Sequence, residues 1–311
     1  MKAYDLVIAG GGPAGLSAAQ YGSRAGLQTL VVEQDRAGGQ ANLIHNLENY
    51  PGNKSGKSGT EIMQIMLSQA LEAGSEFIKG RISSIEKNGS SFNLTTEDGS
   101  EITSKAVILA CGATHNTLGV AGETELLGCG VSYCAACDGP FFKNKKIFVV
   151  GGGDAACGEA FFLGKISKDI HLIHRRGELR AQKSIAKRII DDPAINIQLN
   201  TRILEIKGSE KVESVLLEDT KSGKTHEESA DAVFIFTGII PNTGIIAASA
   251  SEWRPKLDKN GFVMTDETMA SSIEGIFAAG DIRSTPFRQV VTACGDGAIA
   301  AHSASEYIAG L

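Results

Sequence analysis

The sequence predicts an α/β fold of two three-layer modules, one inserted into the other, each carrying an added antiparallel sheet. A glycine turn between an apolar strand and a small-residue helical stretch occurs twice, at Gly10-Gly11-Gly12 and at Gly151-Gly152-Gly153. An apolar strand ending in a small residue and glycine also occurs twice, as Ala106-Val-Ile-Leu-Ala-Cys-Gly112 and Ala232-Val-Phe-Ile-Phe-Thr-Gly238. Two matched features at similar offsets mark an internal repeat. The tail, Gly275-Ile-Phe-Ala-Ala-Gly280-Asp281 followed by a helical stretch over residues 290–308, has no counterpart in the second copy. It therefore belongs to the first, which places residues 1–116 and 243–311 in the outer module and residues 117–242 in the inserted one.

Each element has a local reason. From Tyr4 a short buried strand meets the first glycine turn, an alanine-rich helix follows over residues 14–25, and Thr29-Leu-Val-Val-Glu33 forms the second strand, which completes a βαβ unit. The pattern returns as Lys146-Ile-Phe-Val-Val150, a helix to about Leu163, and Ile170-His-Leu-Ile173. Alternating stretches over residues 81–87, 92–96 and 212–218 read as antiparallel strands punctuated by Asn-Gly, Asp-Gly and Ser-Gly turns.

The 311 residues suit two domains, and the 42% hydrophobic and 21% charged fractions are those of an ordinary globular chain. A net charge of -6 and the absence of a Lys/Arg block argue against nucleic acid as a partner. No apolar run approaches a membrane span. The first strand runs into glycines at once, leaving no room for a signal peptide, and six cysteines in such a chain point to a reducing compartment, best the cytoplasm.

Gly10-x-Gly12-x-x-Gly15 follows a strand and opens a helix, the context in which this pattern makes a Rossmann-like dinucleotide turn: glycines permit the tight bend and the helix N-terminus faces a pyrophosphate. Glu33 ends the next strand, where a carboxylate accepts from ribose hydroxyls and repels a 2′-phosphate. A glycine turn without ligand is the simpler alternative, and the strand, helix and acid together weigh against it. In the second motif, Gly151-x-Gly153-x-x-Ala156, the matching place holds His174, followed by Arg175, Arg176 and, one helical turn on, Arg180. Guanidinium forks match phosphate geometry, so this module should prefer NADPH to NADH. The competing reading is a solvated basic helix face over residues 175–188.

Cys134-Ala-Ala-Cys137-Asp138 has the spacing of a redox-active pair, with a carboxylate placed to manage the proton of a departing thiolate. Cys129-x4-Cys134-x2-Cys137 also fits an iron-sulfur spacing with Cys111 or Cys157 as a fourth ligand, but nothing else resembles a cluster loop. A zinc site lacks a second ligand pair, so no metal is expected. Cys111, Cys157 and Cys294 read as buried small residues, Cys129 stays open, and His45, His115, His171, His226 and His302 receive no role.

Taken together, Gly10-Gly-Gly-Pro-Ala-Gly15, Gly38-Gly39-Gln40, Glu48-Asn49-Tyr50-Pro51-Gly52, Cys134-Ala-Ala-Cys-Asp-Gly139, Gly151-Gly-Gly-Asp154, His174-Arg-Arg-x-x-x-Arg180, Gly280-Asp281 and Arg288-Gln289 resemble the low-molecular-weight thioredoxin reductases over nearly the whole chain. The resemblance implies a homodimer that moves electrons from NADPH through FAD to the cysteine pair and on to thioredoxin or a thioredoxin-like disulfide. FAD would lie in the outer module, contacted by Glu33, Gln40, Asn49, Asp281, Arg288 and Gln289, with Gly10, Gly12, Pro13, Ala14, Gly15, Gln34, Gly39, Gly112 and Gly280 in the same site. NADPH would lie in the inserted module on Gly151, Gly153, Asp154, Ala156, His174, Arg175, Arg176 and Arg180. Cys137 would face the flavin, Cys134 would attack the substrate disulfide, and Asp138 would be the acid.

The resemblance further implies that the modules rotate about hinges near Asn116 and Asn242, and that Phe141-Phe142 forms part of a docking surface. The chain departs from the pattern at Cys129 (commonly Arg), Ala136 and Cys111 (commonly Thr), and Asp154 (commonly Asn or Ser). An acid at position 154 opposes a pyrophosphate unless a donor compensates it. Three other activities compete: a same-fold reductase fed by NADH or ferredoxin, an FAD-dependent dithiol oxidase, and a non-catalytic redox sensor.

Overall fold

Runs of Val, Ile and Leu between glycine turns become buried parallel strands, and the small-residue stretches between them become helices that lie close on the sheet. The computed structural model describes residues 2–44, 47, 49–53, 57–249 and 253–311; His45 and Glu48 lie outside them. The chain divides into two compact units, Met1–Thr114 with Ile240–Leu311, and His115–Ile239.

The first unit runs β1 (Lys2–Ala9), α1 (Pro13–Arg24), β2 (Thr29–Glu33), α2 (Gly59–Glu72), β3 (Glu76–Lys79), β4 (Ile82–Asn88), β5 (Ser91–Thr96), β6 (Glu101–Leu109) and β7 (Ala113–His115), where the chain leaves it. The second runs β8 (Val131–Ser132), α3 (Ala135–Asp138), β9 (Lys146–Val150), α4 (Asp154–Leu163), β10 (Asp169–His174), α5 (Lys183–Ile190), β11 (Ile195–Leu199), β12 (Thr201–Lys207), β13 (Ser214–Asp219), β14 (Thr225–Ser229) and β15 (Ala232–Ile235). β16 (Ile239–Pro241) leads back to α6 (Gly244–Ala247), β17 (Ile276–Ala278) and α7 (Val290–Ala309) of the first unit.

In the first unit β3-β2-β1-β6 are parallel neighbours and β17 pairs in parallel with the end of β6. β5 and β4 continue from the start of β6 as antiparallel strands. Alternation decides the layers. Leu6, Ile8, Val31 and Ile108 face the alanines of α1 and α7, whereas Val7, Val32, Val107 and Leu109 face Ile85, Phe92 and Leu94 of the antiparallel strands. Small residues let α1 and α7 approach closely: a Cβ on Gly297 would collide with the Ala14 carbonyl.

The second unit repeats the plan. Its parallel order is β11-β10-β9-β15-β8, and a separate antiparallel sheet, β12-β13-β14, covers one face. Ile147, Val149 and Phe234 face Ala156, Cys157 and Ala160 of α4, while Phe148, Val150 and Val233 face Ile203, Val215 and Leu217. The return of β17 to β6 makes the first unit discontinuous in sequence, as the unmatched tail implied. Among the described residues, no helix is long and apolar enough to cross a membrane.

Candidate active site

Cys134 and Cys137 form a disulfide, with their Cα atoms 5.3 Å apart. Cys134 is the N-cap of α3, and its Sγ accepts the Cys137 N–H at 3.2 Å. The Ser132 hydroxyl accepts the Cys134 N–H at 3.0 Å, which fixes the entry to the turn. Behind the pair, Ala135 is buried, and Gly139 sits so close to Leu163 and Ile166 that a side chain there would press on both. Asp138 ends α3, its N–H donating to the Cys134 carbonyl, so the predicted acid lies within one helical turn of both sulfurs. Phe141 stands 49% exposed just beyond, while Phe142 turns partly inward against Phe234.

In the first unit, Gly10 has φ +109° and a Cβ there would strike the Ala110 carbonyl, while one on Gly15 would strike the Gly10 carbonyl. These two glycines let α1 start directly against the strand ends. Gly12, the N-cap of α1, opens onto free space and no side chain caps the helix, while Pro13 and Ala14 begin it. Glu33 accepts the Gly11 N–H at 2.6 Å and the Asp35 N–H at 3.2 Å. Gly38 N–H donates to the Gly11 carbonyl and Gly39 lies against Gly12. Gln34 and Gln40 are exposed, and Gly112 follows β6 with φ +67°.

Distant segments converge on the same strand ends. Asn49 Nδ2 donates to Gln289 Oε1 at 2.9 Å, and Gly280 packs on Ala14. Burial pushes the Asp281 carboxyl up, Arg288 pulls it back and Asp296 adds to the rise. Arg288 stacks over Phe262, 4.2 Å from its ring centre, and its Nε is buried without a hydrogen-bond partner. An uncapped helix start facing open space, a ribose-type acid and an orphaned buried guanidinium nitrogen fit a dinucleotide such as FAD.

The second unit shows the same turn. Gly151 lies against Ala156 and the Phe236 carbonyl, and Gly153 caps α4 with open space and no side-chain cap. His174 ends β10 with its imidazole against Gly152; its Nε2 is buried without a hydrogen-bond partner. Burial first, then the charges of Arg180, Arg176 and Arg175, hold the His174 pKa below its ordinary value, so the ring is neutral at neutral pH. Arg175 and Arg176 are exposed beside it and Arg180 stands at the surface too. The free helix start, orphaned imidazole nitrogen and three guanidinium groups fit a phosphorylated dinucleotide.

Two expectations need correction. Arg180 does not follow one helical turn after His174: residues 175–182 contain no helix, and α5 begins at Lys183. The backbone is drawn elsewhere, with Arg180 N–H donating to the Gly152 carbonyl and Asn200 N–H to the Arg176 carbonyl. The condition set for Asp154 is met separately: its carboxylate accepts the Gln182 N–H at 2.7 Å and Gln182 Nε2 at 3.1 Å. Of the three cysteines expected to be buried, Cys157 is, whereas Cys111 and Cys294 are only partly so.

Those thiols still differ from Cys129, which is exposed in a turn. Burial and then Glu33 push the Cys111 thiol up to about 12, and burial and then Asp154 push Cys157 up to about 11. Since the thiolate is the reactive form, iodoacetamide at pH 8 should label Cys129 first and leave Cys111 and Cys157 unmodified until denaturation, as read by peptide mass spectrometry. Equal labelling of Cys157 in the native protein would contradict its burial.

Long-range supports left no mark in the sequence. Arg283 holds Asp296 through Nη1 at 3.1 Å to both carboxylate oxygens, and Asp296 accepts the Gly280 N–H, so a partly buried ion pair braces the Gly280-Asp281 turn. Buried Glu123 accepts from Leu118 N–H, Gly119 N–H and the Tyr133 hydroxyl, bracing the residue before Cys134. Each joins groups that no short motif connects. Asn116 bonds Gly238 and Thr237 within the second unit, and Asn242 bonds Gly112 and Cys111 within the first. Among the histidines given no role, His171 lies between Asp169 and Gln198, and His226 bonds Glu228.

A redox disulfide joined to two dinucleotide-type turns defines a class, and the chain belongs to the pyridine nucleotide-disulphide oxidoreductase family, whose profile matches residues 4–297. It is 50% identical over 305 residues to a thioredoxin reductase of Treponema pallidum, covering 98% of this chain and 97% of that one. A thioredoxin reductase of Bacillus subtilis is 41% identical over 314 residues, covering 99% and 95%. The crystal structure of thioredoxin reductase from Streptococcus pyogenes matches with a TM-score of 0.94 at 39% identity, covering 99% of each chain. Within the family the chain falls among the thioredoxin reductases, flavoprotein disulfide reductases whose cofactors are FAD and NADPH.

Proposed function

We propose that this chain reduces the disulfide of a thioredoxin or thioredoxin-like protein with electrons from NADPH, binding FAD on the first unit and NADPH on the second. The observation that carries this is the Cys134–Cys137 disulfide at the head of α3, in the unit whose glycine turn is touched by His174 and the Arg180 main chain, with exposed Arg175 and Arg176 following His174. Bound FAD supplies the two-electron link between the nicotinamide and the disulfide.

The electron pair enters at Cys137, the S–S bond breaks and Cys134 leaves as a thiolate. The Cys137 N–H that points at Cys134 Sγ favours that charge. Cys134 attacks the substrate disulfide, forming a mixed disulfide and expelling one substrate thiolate, to which Asp138 delivers a proton. The Cys137 thiolate then attacks Cys134, which restores the pair and releases the second substrate sulfur as a thiolate that takes its proton from solvent. Overall NADPH, one proton and a disulfide become NADP⁺ and a dithiol. Exposed Phe141 supports a docking role beside the pair, and exposed Tyr21, Phe287, Val291 and Ile299 on the first unit support self-association as a homodimer. A cytoplasmic site of action accords with free Cys111, Cys129, Cys157 and Cys294.

The test follows oxidation of NADPH and, separately, NADH by the purified flavin-loaded enzyme with thioredoxin as acceptor. NADPH turnover that depends on thioredoxin is expected. If neither nicotinamide reduces the flavin while dithionite does, the donor assignment is wrong, and a ferredoxin-fed reductase or dithiol oxidase takes its place.

A further inference from the structure

We infer that Asp154 and Gln182 set the nicotinamide preference of the second unit without touching the 2′-phosphate, by fastening the arginine-bearing loop to the first turn of the dinucleotide helix. The inference rests on the reading of that unit as the NADPH site.

The loop over residues 175–182 has no regular secondary structure to hold its three arginines, so its order depends on individual ties. At its start the Arg175 carbonyl accepts from the Thr220 hydroxyl at 3.2 Å and the Arg176 carbonyl from Asn200 N–H at 3.0 Å. At its far end Arg180 N–H donates to the Gly152 carbonyl at 2.6 Å. Two residues further on, the Asp154 carboxylate receives both the main-chain N–H and the side-chain amide of Gln182. Asp154 is the first residue of α4 and Gly152 lies in the turn before it, so both far-end ties return to the dinucleotide turn. His174, 5% exposed, presses its ring on that same Gly152 from the start of the loop.

The consequence is electrostatic as well as entropic. A carboxylate in the first turn of α4 would repel a pyrophosphate, but here two donors from Gln182 engage both of its oxygens. A loop held at both ends presents Arg175, Arg176 and Arg180 without having to be ordered by the ligand, and ordering a rotamer-rich segment on binding lowers affinity. Only a ligand with a 2′-phosphate benefits, because 5′-AMP and NADH do not use the cluster.

The experiment measures binding of 2′,5′-ADP and of 5′-AMP to the flavin-loaded enzyme by calorimetry. Wild type should bind 2′,5′-ADP more tightly. Gln182→Ala should lower the ratio of the two affinities by about tenfold, the effect of roughly one to two immobilised side chains, with 5′-AMP affinity held. Asp154→Ala should lower the ratio similarly, and Asp154→Asn, which keeps an acceptor for the Gln182 N–H, should retain the larger part of it. A ratio within twofold of wild type in both alanine variants would overturn the inference while leaving the NADPH site standing. A wild type that does not prefer 2′,5′-ADP would instead overturn the NADPH reading itself, and this inference with it.

Discussion

Cys134→Ser and Cys137→Ser should each lose thioredoxin-dependent NADPH oxidation by at least roughly 10³-fold, as expected when one member of a nucleophilic pair is removed. Both variants should still be bleached by NADPH, because the hydride step precedes the disulfide. The pair separates the competing activities. A redox sensor would show at most stoichiometric NADPH oxidation in wild type, and a dithiol oxidase would not need NADPH. The two variants also test the roles of the sulfurs. Cys137→Ser keeps the attacking Cys134 and should trap a mixed disulfide with thioredoxin, visible as a covalent adduct on a non-reducing gel. Cys134→Ser should trap none; an adduct in that variant alone would reverse the assignment. The positions of Cys134 at the α3 N-cap and of Cys137 one turn into the helix are what make the two sulfurs inequivalent.

The second large effect concerns the donor. Replacing Arg175, Arg176 and Arg180 together by alanine should raise KM for NADPH by about 10²-fold or more, since a phosphate dianion loses two to three charge-assisted partners. KM for NADH should change little, so the ratio of kcat/KM for the two nicotinamides is the decisive readout. A KM for NADPH that stays within a few-fold of wild type would mean that the three arginines are only a solvated basic surface. His174 contributes differently. Its ring is wedged against Gly152, and burial and the neighbouring arginines lower its pKa, so it shapes the turn on which the dinucleotide would sit.

The chemistry of this protein was legible because its recognition elements are local. Gly10 and Gly15 are required by a turn of six residues in which Gly12 leaves the helix start open, Glu33 belongs to the end of the adjoining strand, and Cys134, Cys137 and Asp138 lie within a single helical turn. The division of β1, β6, β9 and β15 side chains between two buried layers likewise follows from alternation within each strand. Such features depend on residues a few positions apart, and their spacing survives in a one-dimensional string.

What only the tertiary structure decided are pairings between remote segments and the path of loops without periodicity. Arg180 was misplaced on a helix because the basic stretch resembles a helix face, whereas the main chain there bonds Gly152, Asp154, Asn200 and Thr220. The donor that Asp154 needs is not among its neighbours in sequence; Gln182 supplies two from across the turn. The Arg283–Asp296 brace, the Glu123–Tyr133 tie and the Asn49–Gln289 bond have the same origin. The sequence by itself determined which groups do chemistry, because reactive groups act over one or two turns of chain. The fold decided how rigidly those groups are held, because a buried charge or an exposed loop is satisfied by whichever partner the packing brings within hydrogen-bond distance.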